Sequence, residues 1–483
     1  MACRSEPRGG AGMRVAVPHN GNGHNGNGRP HARIAVIGGG LAGVTAALDC
    51  AERGADVVLL ESRPRLGGAA YSVHRNGLYV DNGQHVFLRC CTSYRELLER
   101  IGALDRVTLQ PELAIPVIAP GSEPVWLRRQ NLPAPAHLAR SLLGYRFLSV
   151  TERAAAALAM NSLKQVDPDD PAADARSFGD WLRDHHQSAR AIERLWGLIA
   201  RPTLNLVPDD ASLAQAAYVF QTGLLTSPSA GDIGWARRPL SDVHDGPARA
   251  ALQRAGVEIH LRMRAERITA PRDGEFEIEV SGGPTIHADA VIVAVPHDRL
   301  ARLVPPAANV DGASLARLGT SPIVNLHVVY DRRVLELPFV AGVDSPVQWM
   351  FDRGDGAGAE PGTQYLAVTL SAADEESRMG VDELRNRYVA AIADLLPAAR
   401  AAEVTQFFVT REHAATFRAE PGARRLRPGP KTALPGLVLA GAWTDTGWPA
   451  TMEGAVRSGA AAAREALAAF GTRPVQTRVA VAG

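Results

Sequence analysis

One stretch near the start of the chain constrains its fold more than any other: RIAVIGGGLAGVTAALDCAERGADVVLLES, residues 33–62. Its β-branched run at residues 34–37 is typical of a buried parallel strand. A helical pattern follows at residues 41–53 and is ended by a glycine, and a second strand at residues 56–60 leads to Glu61. Strand, glycine-rich turn, helix, strand and acid in this order predict the first βαβ unit of an α/β domain that binds a dinucleotide.

Three glycines make up the G-x-G-x-x-G pattern of the turn: Gly38, Gly40 and Gly43. The first permits the tight turn, the second lets the backbone approach a pyrophosphate, and the third lets the helix pack closely on the strand. The phosphates are then expected at the helix N-terminus, beside Leu41 and Ala42. Glu61 follows about 20 residues later, where an acid hydrogen-bonds the ribose hydroxyls.

The length and charge of the chain limit the remaining choices. A chain of 483 residues exceeds the roughly 250–300 at which a single core stops growing, so at least two domains are expected. Its 52 basic and 51 acidic residues nearly balance, which argues against a nucleic-acid partner. Lysine occurs only at Lys164 and Lys431, so chemistry that needs a buried lysine has few candidates.

The ends of the chain and its cysteines predict little chemistry. The tract HNGNGHNGNG lies in residues 1–32, which we predict to be a disordered tail, and residues 473–483 are predicted to be a flexible one. No signal peptide is expected. The four cysteines have no metal-binding spacing, so no metal is expected and the chain is interpreted as reduced and cytoplasmic. Cys90 and Cys91 are interpreted as packing thiols.

The segment after the fingerprint indicates which dinucleotide is bound. ESRPRLGGAAYSV resembles the E-x-R-x-R-x-G-G segment of the FAD-dependent amine oxidase and phytoene desaturase superfamily. The resemblance implies an FAD whose pyrophosphate and ribityl chain are wrapped by this segment. The residues concerned are Ser62, Arg63, Arg65, Gly67, Gly68 and Ala69. Ala69 stands where the family often has a basic residue.

A second signature of the same superfamily lies near the end of the chain, in GLVLAGAWTDTGWPATMEGAVRSGAAAA. It predicts a strand at residues 437–440 and a helix starting near Thr451, whose dipole can stabilise negative charge on a flavin. The resemblance implies cofactor contacts from Gly441, Asp445, Thr451, Met452, Glu453 and Ala455. Residues 441–454 contain neither cysteine nor histidine, so FAD is predicted to be held non-covalently.

A mid-chain stretch, AGVEIHLRMRAERI followed by ADAVIVAVP, resembles the return of the chain to the FAD domain and implies that Ala265 lies near the adenine. The resemblance as a whole implies an α/β, Rossmann-like FAD domain of the glutathione reductase type and an α+β substrate domain with a mixed sheet and helices. The FAD domain is expected from residues 33–100, 234–300 and 428–472. The substrate domain is expected from residues 101–233 and 301–427, with helices in 135–230 and strands in 320–410.

Three functional classes share this superfamily. An amine oxidase would need a lysine near the flavin and an aromatic cage, but the comparable position in PIVNLHVVY is Asn325, and Trp448 lies before TMEGA in place of the usual cage tyrosine. A non-catalytic lipid-binding relative would have little need of a complete FAD site. An enzyme acting on a long isoprenoid is the class that the motifs favour.

Three long motifs together resemble the hydroxysqualene dehydroxylases, which are FAD-dependent enzymes of squalene and hopanoid biosynthesis: DNGQHVFLRCCTSYRELLERIG, NLPAPAHLARSLLGYRFLS and AGAWTDTGWPATMEGAVRSG. The resemblance implies reduction of hydroxysqualene to squalene, and a carotenoid desaturase is the alternative. The chain has a single dinucleotide fingerprint, which FAD is expected to occupy, and no evident second one for NAD(P)H. Electrons for the flavin are therefore expected from an external reductant. A lipid substrate further implies peripheral contact at the inner face of the membrane.

The segment DNGQHVFLRCC, residues 81–91, is expected to run along the flavin toward the substrate, with a turn first and a strand beginning at Val86. His85 is the candidate proton donor, because a histidine pKa ordinarily lies near neutral pH. Asp81 is the second candidate, because a carboxyl group beside an apolar tunnel can have a raised pKa.

Overall fold

The computed structural model describes residues 32–272 and 275–470. Apart from residue 32, the two tails predicted above lie outside this part of the chain. Within it the strands are, in chain order, β1 (Arg33–Ile37), β2 (Asp56–Glu61), β3 (Ser72–Arg75), β4 (Leu78–Asp81), β5 (Val86–Leu88), β6 (Val107–Leu109), β7 (Ala114–Ile118), β8 (Val125–Arg128), β9 (Ile233–Ala236), β10 (Glu258–Leu261), β11 (Ala265–Arg272), β12 (Glu275–Val280), β13 (Ile286–Ala288), β14 (Ala290–Val293), β15 (Ser321–Tyr330), β16 (Phe339–Gly342), β17 (Trp349–Asp352), β18 (Gln364–Ser371), β19 (Val404–Thr416) and β20 (Leu437–Leu439).

The α-helices of the described residues alternate with these strands and concentrate between β8 and β9. They are α1 (Leu41–Glu52), α2 (Thr92–Ile101), α3 (Ala139–Leu143), α4 (Val150–Leu163), α5 (Pro171–Asp174), α6 (Phe178–Asp184), α7 (Ala189–Ala191), α8 (Gly197–Leu204), α9 (Leu213–Phe220), α10 (Leu240–Arg254), α11 (His297–Leu303), α12 (Gly312–Arg317), α13 (Gly354–Ala357), α14 (Val381–Leu395) and α15 (Met452–Ala468). None of them is long and apolar enough to cross a bilayer.

A five-stranded parallel sheet, in the order β10-β2-β1-β14-β20, forms the first layer. Side chains alternate across a strand, so Ile34 and Val36 of β1 enter the core shared with α1, α10 and α15, whereas Ala35 and Ile37 enter the core on the opposite face. The second face is covered by the antiparallel sheet β11-β12-β13. Because both faces are covered, the strands read as continuous apolar runs, as the sequence indicated.

The second layer is a seven-stranded mixed sheet in the order β19-β15-β18-β17-β16-β7-β8. Its β7–β16 pair is parallel and its other pairs are antiparallel. Helix α14 packs on one face, and the helices between β8 and β9 share a core with the other. The predicted fold class, a Rossmann-like layer joined to a mixed sheet with helices, is confirmed.

Several elements were not predicted from the sequence. The helix α14 and the strand β16 lie in a region interpreted as four strands, and β6, β7 and β8 precede the region interpreted as helical. The five parallel strands do fall within the three stretches assigned to the FAD domain. A small sheet in the order β5-β9-β6 joins residues assigned to the FAD domain, in β5 and β9, to residues assigned to the substrate domain, in β6. This pairing fixes the position of residues 86–88.

Candidate functional site

The glycine turn lies between β1 and α1 at the carboxyl edge of the parallel sheet. Gly38 has a φ of +108°, and a Cβ there would lie 2.4 Å from the carbonyl oxygen of Ala294. A Cβ at Gly43 would lie 1.8 Å from the carbonyl oxygen of Gly38, so the turn and helix need both glycines. In the described chain no side chain caps α1, which leaves the N–H groups of its first turn, from Leu41 onward, available to an anion.

The second predicted cofactor segment crosses directly over this turn. The N–H of Gly67 donates to the carbonyl of Gly39 at 2.9 Å, and a Cβ at Gly68 would lie 2.7 Å from the Cα of Gly40. Arg65 donates to the Gly68 carbonyl at 3.0 Å and its guanidinium lies 3.6 Å from the ring centre of Tyr71. The remaining members of this segment, Ser62, Arg63 and Ala69, are exposed.

Glu61 lies buried at the end of β2, against the glycine turn. One carboxylate oxygen accepts the N–H of Gly39 at 2.6 Å, and the other accepts the N–H of Arg63 at 2.6 Å. Its carbonyl accepts the N–H of Met263, two residues before Ala265, which opens β11. The Ser62 hydroxyl also donates to this carboxylate, at 3.2 Å. A carboxylate has about four acceptor positions, so Glu61 can hold the turn and still accept a bond from a ribose hydroxyl.

The closing signature lies against the same turn. The N–H of Gly441 donates to the hydroxyl of Ser458 at 2.8 Å, and Thr451 caps α15 by accepting the N–H of Gly454 at 3.1 Å. Helix α15 touches the first turn of α1 so closely that a Cβ at Gly459 would lie 2.1 Å from the carbonyl oxygen of Ala42. The fold therefore brings together the two segments that the sequence assigned to one cofactor.

Other members of that signature have different surroundings. Met452 and Ala455 are half-buried in the first turn of α15. The buried carboxylate of Glu453 accepts the N–H of Tyr94 at 2.7 Å and the Nε of Arg457 at 2.7 Å, so its side chain joins α15 to the N-terminus of α2. The carboxylate of Asp445 is half-exposed and accepts the N–H of Gly447 at 3.2 Å.

A buried arginine that the sequence did not single out shapes the loop between β20 and α15. Arg427 donates to the carbonyls of Thr444 at 2.6 Å and Trp448 at 2.8 Å, and also reaches those of Ala442 and Trp443. Its Nη1 is buried and has no partner among the described residues. Burial lowers the pKa of Arg427 to about 10, which still leaves it charged at neutral pH. The carbonyls that it binds are backbone atoms, so a side-chain pattern could not identify this contact.

In the segment at residues 81–91, strand β5 begins at Val86, as predicted, and Asp81 ends β4. Asn82 binds the second cofactor segment on one side, since its amide donates to the carbonyl of Ala69 at 2.8 Å and accepts the N–H of Tyr71 at 3.1 Å. On the other side, the Asn82 carbonyl accepts the amide of the fully buried Asn325 at 2.7 Å. This segment therefore links the cofactor loops to strand β15.

His85 is half-buried and borders a small internal cavity, which is also lined by Gln84, Val86, Trp235, Leu240 and Phe351. Burial lowers the pKa of His85 to about 4. The expectation of a pKa near neutrality was therefore wrong, because the residues packed around the half-buried imidazole penalise its cation. At neutral pH the imidazole is uncharged.

Asp81 has surroundings that do not suit a proton donor. Its carboxylate accepts the Nη2 of Arg353 at 2.9 Å, the hydroxyl of Ser72 at 2.6 Å and the N–H of Leu240 at 2.9 Å. Burial raises the pKa of Asp81, as the sequence argument expected, while Arg353 opposes that rise. Because Arg353, Ser72 and Leu240 all donate to it, the Asp81 carboxyl group has a structural role and joins β4 to α10 and to the end of β17.

Cys90 and Cys91 are free thiols, the first half-buried and the second buried at the start of α2. Nearby, Tyr218 of α9 and Trp448 make an edge-to-face contact with ring centres 5.5 Å apart. The guanidinium of Arg457 lies 5.1 Å from the centre of the Trp448 ring. This cluster lies at the N-terminal end of α15.

The residues present fit the FAD that the sequence predicted. An uncapped helix N-terminus, two glycine loops in contact, and a buried acid with spare acceptor positions converge from different parts of the chain. The unpaired Nη1 of Arg427 adds a buried donor near the closing signature. FAD would lie along the glycine turn and Glu61, with its flavin end toward α15 and the segment at residues 81–91.

Comparisons with known proteins agree with this site. A family model described as flavin containing amine oxidoreductase matches residues 41–467. The chain is 26% identical to zeta-carotene desaturase of Arabidopsis thaliana, over 89% of this chain and 84% of that one. It is 29% identical to hydroxysqualene dehydroxylase of Rhodopseudomonas palustris, over 90% of this chain and 98% of that one. Putrescine oxidase bound to putrescine has a similar fold, with a TM-score of 0.68, 18% identity, and coverage of 91% of this chain and 99% of the other. The cofactor is FAD, as predicted.

Proposed function

The chain belongs to the family of flavin containing amine oxidoreductases, and from that premise we propose that it reduces hydroxysqualene to squalene. The protein is an FAD-dependent oxidoreductase. Among the relatives described above, the hydroxysqualene dehydroxylase combines the higher identity with a match over nearly its whole length.

Two uncharged side chains, Asn325 of strand β15 and the neighbouring His85, support this proposal most directly. At the position where the amine oxidases of this superfamily have a lysine, the chain has Asn325. Its side-chain amide donates to the carbonyl of Asn82 and accepts a hydrogen bond from the hydroxyl of Thr369. His85, beside it, is neutral at physiological pH because burial lowers its pKa to about 4. An uncharged hydrocarbon can approach such a site without the desolvation cost that a cationic amine would meet.

The reaction breaks the allylic C–O bond, releases the oxygen with two protons as water, and gives the carbon a hydride. When bound and reduced, FAD supplies that hydride. The chain itself must bury the long apolar substrate, keep water from the reacting carbon, and hold a proton donor at the departing oxygen. An external reductant must then return two electrons for each turnover.

We assign the contact with the departing oxygen to His85. It lies on the segment that Asn82 holds against the cofactor loops and that Asn325 holds against β15, so its backbone is fixed from two sides. Because burial lowers its pKa to about 4, the imidazolium that protonates the departing oxygen is a minor form at pH 7, but it gives up its proton more readily than a free histidine does. Asp81 is not assigned this role, because its lone pairs are occupied by Arg353, Ser72 and Leu240.

The proposal is tested by incubating the FAD-loaded protein, reduced without oxygen, with hydroxysqualene. Squalene should form in a one-to-one ratio with reoxidised flavin, as measured by mass spectrometry and by the return of flavin absorbance. In parallel, the oxidised protein should be incubated with zeta-carotene and an electron acceptor. Desaturation of the carotene without formation of squalene would assign the chain to the desaturases instead and overturn the proposal.

A further inference from the structure

Helix α4 buries apolar residues on one side and exposes two large aliphatic residues on the other. Ala156, Ala159 and Leu163 point inward and are fully buried. On the opposite side, Val150 and Leu158 are each 73% exposed. Eight residues at 100° each place these two side chains within about 80° of one another around the helix axis. Polar side chains share the outer side, since Asn161 lies between these two residues and Thr151 is also exposed. Large aliphatic side chains held this far into solvent mark a surface that can bind a partner.

The exposed apolar surface continues onto the preceding helix. Leu143 at the end of α3 is 71% exposed, and its carbonyl accepts a hydrogen bond from Arg153 in the first turns of α4. The capping box of α4, in which Ser149 and Glu152 bind each other's backbone, fixes the angle at which the chain enters this helix. Leu143 and Val150 are therefore presented together by an ordered turn.

Basic side chains flank these apolar ones. Residues 121–166 contain six basic and two acidic residues, a local net charge of +4 in a chain whose net charge is +1. Arg140 and Arg146 are exposed beside Leu143. Two of these charges are paired outside the segment: Glu152 with Arg190 and Arg129 with Asp232, each at 2.7 Å. The other acid, Glu123, is exposed near Arg146. An acidic run begins only at Asp167, beyond the far end of α4.

We propose that this α3–α4 surface, formed by Arg140, Leu143, Arg146, Val150 and Leu158, docks the protein on an anionic lipid bilayer. Exposed aliphatic side chains next to arginines suit the boundary between head groups and acyl chains, where the former gain apolar burial and the latter meet lipid phosphates. The charge is complementary to an anionic membrane, whereas a second copy of this surface would place like charges together. Docking through this surface does not depend on which isoprenoid the active site accepts.

The test uses the full chain loaded with FAD and sedimentation with two kinds of vesicle: phosphatidylcholine alone, and phosphatidylcholine mixed with phosphatidylglycerol. The parent should partition into the anionic vesicles at least about tenfold more strongly than into the neutral ones, and high salt should weaken this partition. The triple variant Leu143→Ser, Val150→Ser, Leu158→Ser should lose on the order of tenfold or more in partition. The variant Arg140→Glu, Arg146→Glu should lose the preference for anionic vesicles.

A matched control replaces exposed apolar residues elsewhere, Leu104→Ser and Val381→Ser, and should bind vesicles as the parent does. Flavin absorbance and the midpoint of thermal unfolding should match the parent in every variant, because the changed side chains are exposed. Equal partition of the parent and the triple serine variant would overturn the proposal. The proposal would also be overturned if, without vesicles, the parent formed an oligomer and the triple serine variant alone were monomeric. The surface would then contact another copy of the chain.

Discussion

The carboxylate of Glu61 shows how one side chain can serve both the fold and the cofactor. Its bonds to Gly39 and Arg63 hold the glycine turn against the second cofactor loop. The same group faces the place where the ribose is expected. A change at this position should therefore act on the affinity for FAD first, and on the conformation of the turn only locally.

Glu61→Ala should weaken FAD binding by about 1.5–3 kcal/mol, or roughly 10- to 200-fold in Kd, because charge-assisted hydrogen bonds to the ribose are lost. Titration of the apoprotein with FAD, followed by flavin fluorescence, measures the change. Glu61→Gln keeps the shape of the side chain and one acceptor oxygen, so its Kd for FAD should lie between those of the parent and of Glu61→Ala. If Glu61→Ala binds FAD as tightly as the parent does, the residue does not contact the cofactor.

His85→Ala should keep its FAD spectrum but lose on the order of 10²–10⁴ in the rate of a single turnover, the usual range for one general acid. Because the pKa of His85 is about 4, the parent's rate should rise as the pH falls from 7 to 5, by up to about tenfold per unit. His74→Ala, a change at an exposed histidine, serves as the control. A parent rate that does not vary with pH, or a His85→Ala variant as fast as the parent, would make the histidine a scaffold residue.

At the scale of elements, the site depends on close contacts between segments that are distant in the sequence. Helix α15 meets α1 through Gly459, and the Asp81–Arg353 ion pair joins β4 to the end of β17. Both contacts are buried, so each leaves little room for an added atom or an unpaired charge. The positions of the cofactor loops therefore follow from how these elements pack.

Gly459→Ala should weaken FAD binding and lower stability by about 1–3 kcal/mol, because its methyl group would meet the Ala42 carbonyl and push α15 away from α1. Urea unfolding of the apoprotein and the Kd for FAD measure the two effects. At Gly380 an added Cβ meets nothing within 4 Å, so Gly380→Ala is the matched control and should stay within about 1 kcal/mol of the parent. Equal stability of the two variants would mean that the helices can separate without cost.

For the whole molecule, the sequence was sufficient where short motifs carry the geometry. The βαβ unit, the strand β5 and the start of α15 lie within a residue or two of their predicted positions. The sequence was insufficient where the outcome depends on enclosure: the pKa of His85 and the burial of Arg427 are set by residues far away in the chain. The helix α14 was missed because the sequence around it is rich in strands. Its role, to bury one face of the seven-stranded sheet, is visible only once the sheet is formed.

FAD should be released completely when the purified protein is precipitated with acid. The loop from Gly441 to Gly454 contains no cysteine or histidine to which the flavin could be attached. The yellow colour should appear in the supernatant, where its absorbance can be compared with that of the intact protein. Colour that stays in the pellet would show a covalent bond. In that case Cys90 would be the first residue to replace, since its thiol lies near Glu453 at the start of α15.

The protein as a whole should lose stability as the pH falls below about 6.5, and His327 should contribute a measurable part of that loss. This histidine is fully buried in β15 between the hydroxyls of Tyr365 and Thr410, and burial lowers its pKa to about 3. The unfolded chain takes up the proton near pH 6.5 and the folded chain only near pH 3, so the unfolded state binds more protons in between. Stability therefore falls with pH throughout that window. Between pH 7 and pH 5 the cost approaches about 2 kcal/mol for one such group.

His327→Gln keeps a hydrogen-bonding side chain that does not titrate, so the difference in its free energy of urea unfolding between pH 7 and pH 5 should be smaller by up to that amount. The exposed His74 provides the control, because His74→Gln should leave the pH dependence of the parent unchanged. If His327→Gln and the parent lose equal stability over this range, the buried histidine is not the source of the acid sensitivity.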